Sequence, residues 1–211
     1  MEISKMSMYE IDTLKEIGNI GASSAATALA KMLGKRIYLS LPEVRILEFK
    51  NIAQILGGEE AIVVGILQPM SDDLKGHVMF LLRLNAAHDL ADFLLSEMLN
   101  VKRDPSTPKE DFSEMEISAL REIGNIMISS YLAAISELTQ LKIKPLVPEI
   151  AIDMAAAVLS VPAIEFGKIG DHVLFIDTEF SEGDTTVEGD FFLIPDINSY
   201  NVLLRALGVS N

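Results

Sequence analysis

Apolar residues recur at helical spacing early in the chain. Leu14, Ile17, Gly18, Gly21, Ala25, Ala28, Leu29 and Met32 share one side. At about 100° per residue, Asp12, Glu16, Asn19 and Ser23 gather within roughly 60° of one another on the other. The pattern predicts an amphipathic helix whose apolar side packs and whose polar stripe faces outward. Its ends are also written in the sequence. Ser7 with Glu10 forms an S-x-x-E capping box: the Ser oxygen accepts from a free backbone N–H, and the Glu reaches back to the cap's N–H. Lys31 and then Gly34 are stop signals, so the helix ends at about Leu33.

Arg36–Leu47 is rich in Ile, Tyr, Leu and Val and reads as extended, with Pro42 as an edge position or a break. Asn51–Leu56 makes a short helical turn before Gly57 and Gly58. Ala61–Leu67 and Gly76–Leu84 are apolar strands joined through Ser71, Asp72 and Asp73. Asn85 then caps a helix over Ala86–Leu99. Two prolines among charges make Lys102–Asp111 a linker. Beyond it, Ser113 with Glu116 gives a second capping box, opening a second long helix to about Gln140. Lys142–Pro145 is short and extended. Glu149–Leu159 reads as an apolar helix with Asp153 near its start. His172–Phe180 and Gly189–Pro195 are strands separated by the acidic turn Ser181–Glu188. Asn198–Leu207 closes as a helix ending at Gly208.

The second half restates the first. Ser7 and Ser113, Glu10 and Glu116, Glu16 and Glu122, Asn19 and Asn125, Ser23 and Ser129, and Pro42 and Pro148 all stand 106 positions apart. An internal duplication is the simplest account. It predicts an α+β fold with a pseudo-twofold internal duplication, its two long helices packed side by side on a shared antiparallel β-sheet. The halves are residues 1–101 and 112–211, joined by linker 102–111. Each is small for a core of its own, so together they form one globular unit.

Composition narrows the functional classes. Of 211 residues, 49% are hydrophobic, which excludes a disordered chain. Cysteine is absent, so disulfides, thiolate metal sites and a cysteine nucleophile are excluded. A formal net charge of -14 repels phosphate backbones and anionic lipid, so nucleic acid and membrane surfaces are not expected partners. The longest uncharged runs, Ile17–Ala30 and Ile123–Ser136, are shorter than the roughly 18 residues of a membrane span. The N-terminus lacks the basic-then-apolar pattern of a signal peptide, and a cytoplasmic location is expected.

The stripes Asp12, Glu16, Asn19, Ser23 and Ser118, Glu122, Asn125, Ser129 carry the candidate chemistry. A Glu and an Asn on an outer helix face are ordinarily just solvated. Here Asn occupies a mid-helix position that does not suit it. The pair also recurs while its surroundings drift, Gly21 becoming Met127 and Ala25 becoming Tyr131. The carboxylate can pair with a cation, and the amide can hold a water in a fixed direction. No Ser-His-Asp set accompanies them. His77, His88 and His172 are scattered over strand, helix and strand, and no metal site is expected. Glu plus Asn is an incomplete active site, adequate if a partner brings the metal, the lysine and the reacting bond.

The spacing Asp/Ser-x3-Glu-x2-Asn-x22-Pro occurs as Asp12, Glu16, Asn19, Pro42 and as Ser118, Glu122, Asn125, Pro148. It resembles the signature of the CheC-type phosphatases of bacterial and archaeal chemotaxis, whose relatives are CheX and FliY. The resemblance implies dephosphorylation of the response regulator CheY. Glu16 and Glu122 would engage a lysine of the receiver domain. Asn19 and Asn125 would enter its acidic pocket and direct water at the aspartyl phosphate. Mg²⁺ is expected on the receiver and no cofactor on this chain. Asp12, Ser118, Ser23 and Ser129 would support the pairs, while Pro42 and Pro148 would be structural. The resemblance also implies a second partner, the receptor deamidase CheD. It would dock on Glu149–Leu159 through Ile152, Asp153, Met154 and Val158, a feature with no counterpart expected in the first half. The alternative is a non-catalytic flagellar-switch or adaptor module that binds phosphorylated receiver or regulates CheD. Switch relatives carry extra segments, a receiver-binding peptide in FliM and a C-terminal domain in FliY. A chain that starts at its first helix and stops after its last favours a stand-alone phosphatase, expected to be monomeric.

Overall fold

The computed structural model of the chain describes residues 7–34, 38–39, 43–48, 51–99, 111–166, 172–182 and 185–209. The first run of elements is α1 (Met8–Leu33), β1 (Tyr38–Leu39), β2 (Glu43–Glu48), α2 (Ile52–Ile55), β3 (Ile62–Asp72), β4 (Gly76–Arg83) and α3 (Leu84–Leu99). The second is α4 (Glu114–Thr139), β5 (Ile143–Pro145), β6 (Glu149–Met154), α5 (Ala155–Phe166), β7 (His172–Glu182), β8 (Thr185–Pro195) and α6 (Ile197–Ala206). The same succession therefore occurs twice, and α1 and α4 are each 26 residues long. Both capping boxes form as expected, on Ser7 with Glu10 and Ser113 with Glu116. Gly34 ends α1 in the left-handed conformation at φ 64°, and Gln140 does the same for α4 at φ 59°.

Several expected boundaries are corrected. The Glu149–Leu159 stretch is a strand as far as Met154 and helical only from Ala155. Its apolar composition suits a helix, but Ile62–Leu67 of β3 offers a row of backbone partners along which Glu149–Met154 pairs antiparallel. Nor is it without a counterpart, because β2 lies 106 positions before β6 at both ends. Asn85 is not a cap: α3 begins at Leu84, directly after β4. Strands β7 and β8 pair through the acidic segment to Glu182↔Thr185, leaving only two residues between them. Asp196, rather than Asn198, opens the last helix, its side chain accepting from Ser199 N–H. Pro42 and linker residues 102–110 lie outside the described residues.

One mixed-order antiparallel sheet joins the two runs. Its order is β1-β7-β8-β4-β3-β5, with β2 also on β7 and β6 also on β3. The outer strands are thus exchanged. The first run supplies β1 and β2 to β7, and the second supplies β5 and β6 to β3. Apolar residues line both faces of the central strands, because alternate side chains point to opposite sides. Val78, Phe80 and Leu82 face the layer of α1, α3, α4 and α6. Met79 and Leu81 face α2 and α5 on the other side. The sheet is therefore covered twice, which accounts for its unbroken apolar strands.

The long helices lie side by side over the sheet. Ser24 Oγ donates to Ser130 O at 3.0 Å, and Gly21 lies beneath the Tyr131 ring, which a Cβ at 21 would strike. Rising numbers on one helix meet falling numbers on the other, so they run antiparallel. Gly124 does the same for α4 against the sheet: a Cβ there would come within 2.5 Å of Ile66 Cδ1. Without side chains at these two points, the helix axes approach closely.

Candidate functional site

The outward stripes form as the periodicity predicts. Asp12, Glu16 and Ser23 of α1 are exposed, as are Ser118 and Glu122 of α4. Ser129 is half-buried. Asn19 and Asn125 are also half-buried, at the margin between the stripe and the packed side. The i, i+3 spacing holds each carboxylate and amide about 5–6 Å apart at Cβ. Asn19 and Asn125 each precede the Ser24–Ser130 crossing by five residues. On antiparallel helices that sets them on opposite sides of the crossing, about 15 Å apart along the axes at 1.5 Å per residue. The two Glu–Asn pairs are therefore separate, and each is a candidate half-site.

Beneath the second half-site lies a residue that the sequence reading did not single out. Gln68 of β3 is only 1% exposed. Its Nε2 donates to Asn125 Oδ1 at 3.1 Å and to Leu146 O at 2.9 Å. A polar residue in a strand otherwise filled by Val64, Ile66 and Met70 on the same face was the available signal. At the first half-site, Asn19 Oδ1 is buried with no hydrogen-bond partner.

The remaining candidates are dispersed. Pro148 is half-buried between β5 and β6, on the segment that begins with Leu146. Asp153 and Met154 are open, the latter 44% exposed. Ile152 is half-buried against the helix-side core, and Val158 is buried with α2 on the opposite face. His88 is buried and stacks on Phe112 at 3.9 Å, a packing role. Among the described residues, no group of three or more His, Asp or Glu side chains is placed to hold a metal ion.

Comparison with known proteins begins with two matches of one family model. The model of the CheC-like family matches residues 10–46 and 115–152, covering both stripes and the segments that follow them. The chain is also 34% identical over 205 residues to the CheY-P phosphatase CheC of Bacillus subtilis strain 168, covering 95% of each. The chain belongs to the CheC-like family. Among solved structures, this CheC-like fold superposes on FliY of Thermotoga maritima with a TM-score of 0.72. The two are 23% identical, and the match covers 98% of this chain and all of that one, 100%. It also resembles one chain of the crystal structure of the CheX–CheY–BeF3–Mg²⁺ complex of Borrelia burgdorferi, with a TM-score of 0.51 and 15% identity. That likeness covers 82% of this chain and 94% of the other. At these identities the two structures speak to the fold alone. Among the described residues no helix is long and apolar enough to cross a membrane.

Proposed function

We infer that this protein is a phosphatase acting on the aspartyl phosphate of a CheY-type receiver domain. The observation that carries the inference is the 34% identity to a CheY-P phosphatase, extending over 95% of both chains. The geometry supports it. Each stripe offers an exposed carboxylate one turn before a half-buried amide, and neither pair can complete a hydrolysis alone.

In the reaction, a water oxygen attacks phosphorus in line with the bond to the aspartyl oxygen. That bond breaks with its electron pair leaving on the receiver's carboxylate, and the water's proton departs with inorganic phosphate. Little covalent chemistry is asked of the catalyst, so position and charge neutralisation dominate. Asn19 and Asn125 orient the water. Glu16 and Glu122 pair with a receiver lysine and fix the docking angle. Mg²⁺, held by the receiver, would supply charge neutralisation at the phosphate. Orientation of the water contributes about a hundredfold, or roughly 2.7 kcal/mol. This substrate class goes with a cytoplasmic location, and one chain bearing both half-sites needs no second copy. A CheD-type deamidase is a second proposed partner. Its contacts would fall on Asp153 and Met154 together with Ile62, which pairs across from Met154 and is 41% exposed.

The test is phosphate loss from the cognate phosphorylated receiver with catalytic amounts of this protein. Asn19→Ala and Asn125→Ala each slow the decay, and the double variant returns it to the receiver's own rate. An unaccelerated decay with tight binding to the phosphorylated receiver would establish an adaptor instead.

A further inference from the structure

Three groups are linked beneath α4: the Leu146 carbonyl, the Gln68 amide and the Asn125 amide. Their hydrogen bonds can be assigned in order. A backbone carbonyl only accepts, so Leu146 O requires Nε2 of Gln68 rather than Oε1. Nε2 carries two hydrogens, and the second is directed at Asn125. Asn125 must answer with an acceptor, which turns its Oδ1 inward and leaves Nδ2 for the other side. Leu146 is itself fixed, because its N–H donates to Pro69 O at 2.9 Å, next to Gln68 on β3. The orientation of the Asn125 amide is thus set by a part-buried series of bonds anchored in the main chain.

We propose that Gln68 is a positioning residue for the half-site of Glu122 and Asn125, holding the Asn125 amide in one orientation before the receiver arrives. This rests on the catalytic reading of Asn125 given above. Among the described residues, the other half-site shows no such device. Leu67 stands opposite Glu149, and Asp177 stands opposite Glu43, 106 positions earlier. The place of Gln68 is therefore taken on β7 by Thr178, which carries no amide. Asn19 Oδ1 has no hydrogen-bond partner among the described residues, so no bond to that oxygen orients its amide. The two half-sites differ in preorganisation, although their stripes carry the same Glu and Asn.

The test separates positioning from folding. Gln68→Met is close in volume and has no amide. Combined with Asn19→Ala, which leaves only the second half-site, it lowers kcat roughly tenfold, the loss of one orienting hydrogen bond, with KM little changed. Combined with Asn125→Ala, it costs no more than Asn125→Ala alone. Equal losses in both backgrounds would mark Gln68 as merely structural and overturn the proposal, as would no loss in either. A second measurement needs no Gln68 variant. By NMR, the Gln68 side-chain amide hydrogens exchange slowly in the unaltered protein, and one loses protection in Asn125→Ala. Rapid exchange of both in the unaltered protein would overturn the proposal. Full activity in Asn19→Ala/Asn125→Ala would instead sink the catalytic reading, and the positioning role with it.

Discussion

At the residue scale, the Tyr131 hydroxyl is a buried polar group that has no place in the proposed chemistry. Tyr131 is fully buried, its ring stacked on Phe191 at 5.8 Å, and its hydroxyl makes no hydrogen bond. A buried unpaired hydroxyl costs more than a missing one. Tyr131→Phe keeps the ring and should raise stability at neutral pH by about 1 kcal/mol, read from the urea midpoint. The same phenol sets a pH limit. Burial, and then nearby Tyr200, push the Tyr131 pKa far above its ordinary value, and burial does the same to Tyr200. Unfolded, both ionise near pH 10. Below that pH both states keep the proton and nothing is lost. Above it the unfolded chain binds fewer protons than the folded one, so stability falls as pH rises. Tyr131→Phe should make that fall shallower. An alkaline unfolding midpoint unmoved by the substitution would show that the phenol titrates alike in both states.

At the element scale, close approach of α4 to β3 is what brings Asn125 over Gln68, and Gly124 permits it. Gly124→Ala drives a methyl into Ile66, whose Cδ1 and Cγ2 would lie 2.5 and 2.8 Å away. The overpacking should destabilise by about 1–3 kcal/mol, partly offset by the better helix propensity of Ala. Ile66→Val removes the nearer atom and should recover part of the loss in the double variant, a coupling measurable by chemical denaturation. The elements also show what could be read in advance. Both long helices were legible to their caps, because capping boxes and stop residues are local chemistry. The β3–β4 hairpin was legible from its apolar runs. Residues 149–154 were not, because Ile150 and Ile152 suit helix and strand alike, and only the partner β3 decides. Nor was the role of Gln68. Its meaning depends on a helix nearly sixty positions away, and no pattern along the strand encodes that contact.

For the whole molecule, the exchange of outer strands decides whether the halves are domains. A fragment 1–101 would leave β1 and β2 without β7, and β3 without β5 and β6. Fragment 112–211 has the converse deficit. Each fragment contains one long helix and one hairpin, so a homodimer is the obvious escape, with a second copy standing in for the missing half. The interface between the long helices blocks it. The Tyr131 ring lies where only Gly21 leaves room. In a homodimer of the second half, Met127 would occupy the place of Gly21, because it lies 106 positions later, and would collide with the ring. In a homodimer of the first half, Ala25 would replace Tyr131 and leave a hole over Gly21. What reads along the chain as drift between the repeats is thus, across the interface, a large residue matched to a small one. Each fragment alone should lack a cooperative thermal transition by circular dichroism. An equimolar mixture should regain it, together with phosphatase activity. A single fragment that melts cooperatively as a monomer or homodimer would refute this account. Gly21→Met in the intact chain gives the complementary result, since it recreates the forbidden contact: it should destabilise the protein by about 1–3 kcal/mol or more, and Tyr131→Ala in the same chain should restore part of the loss.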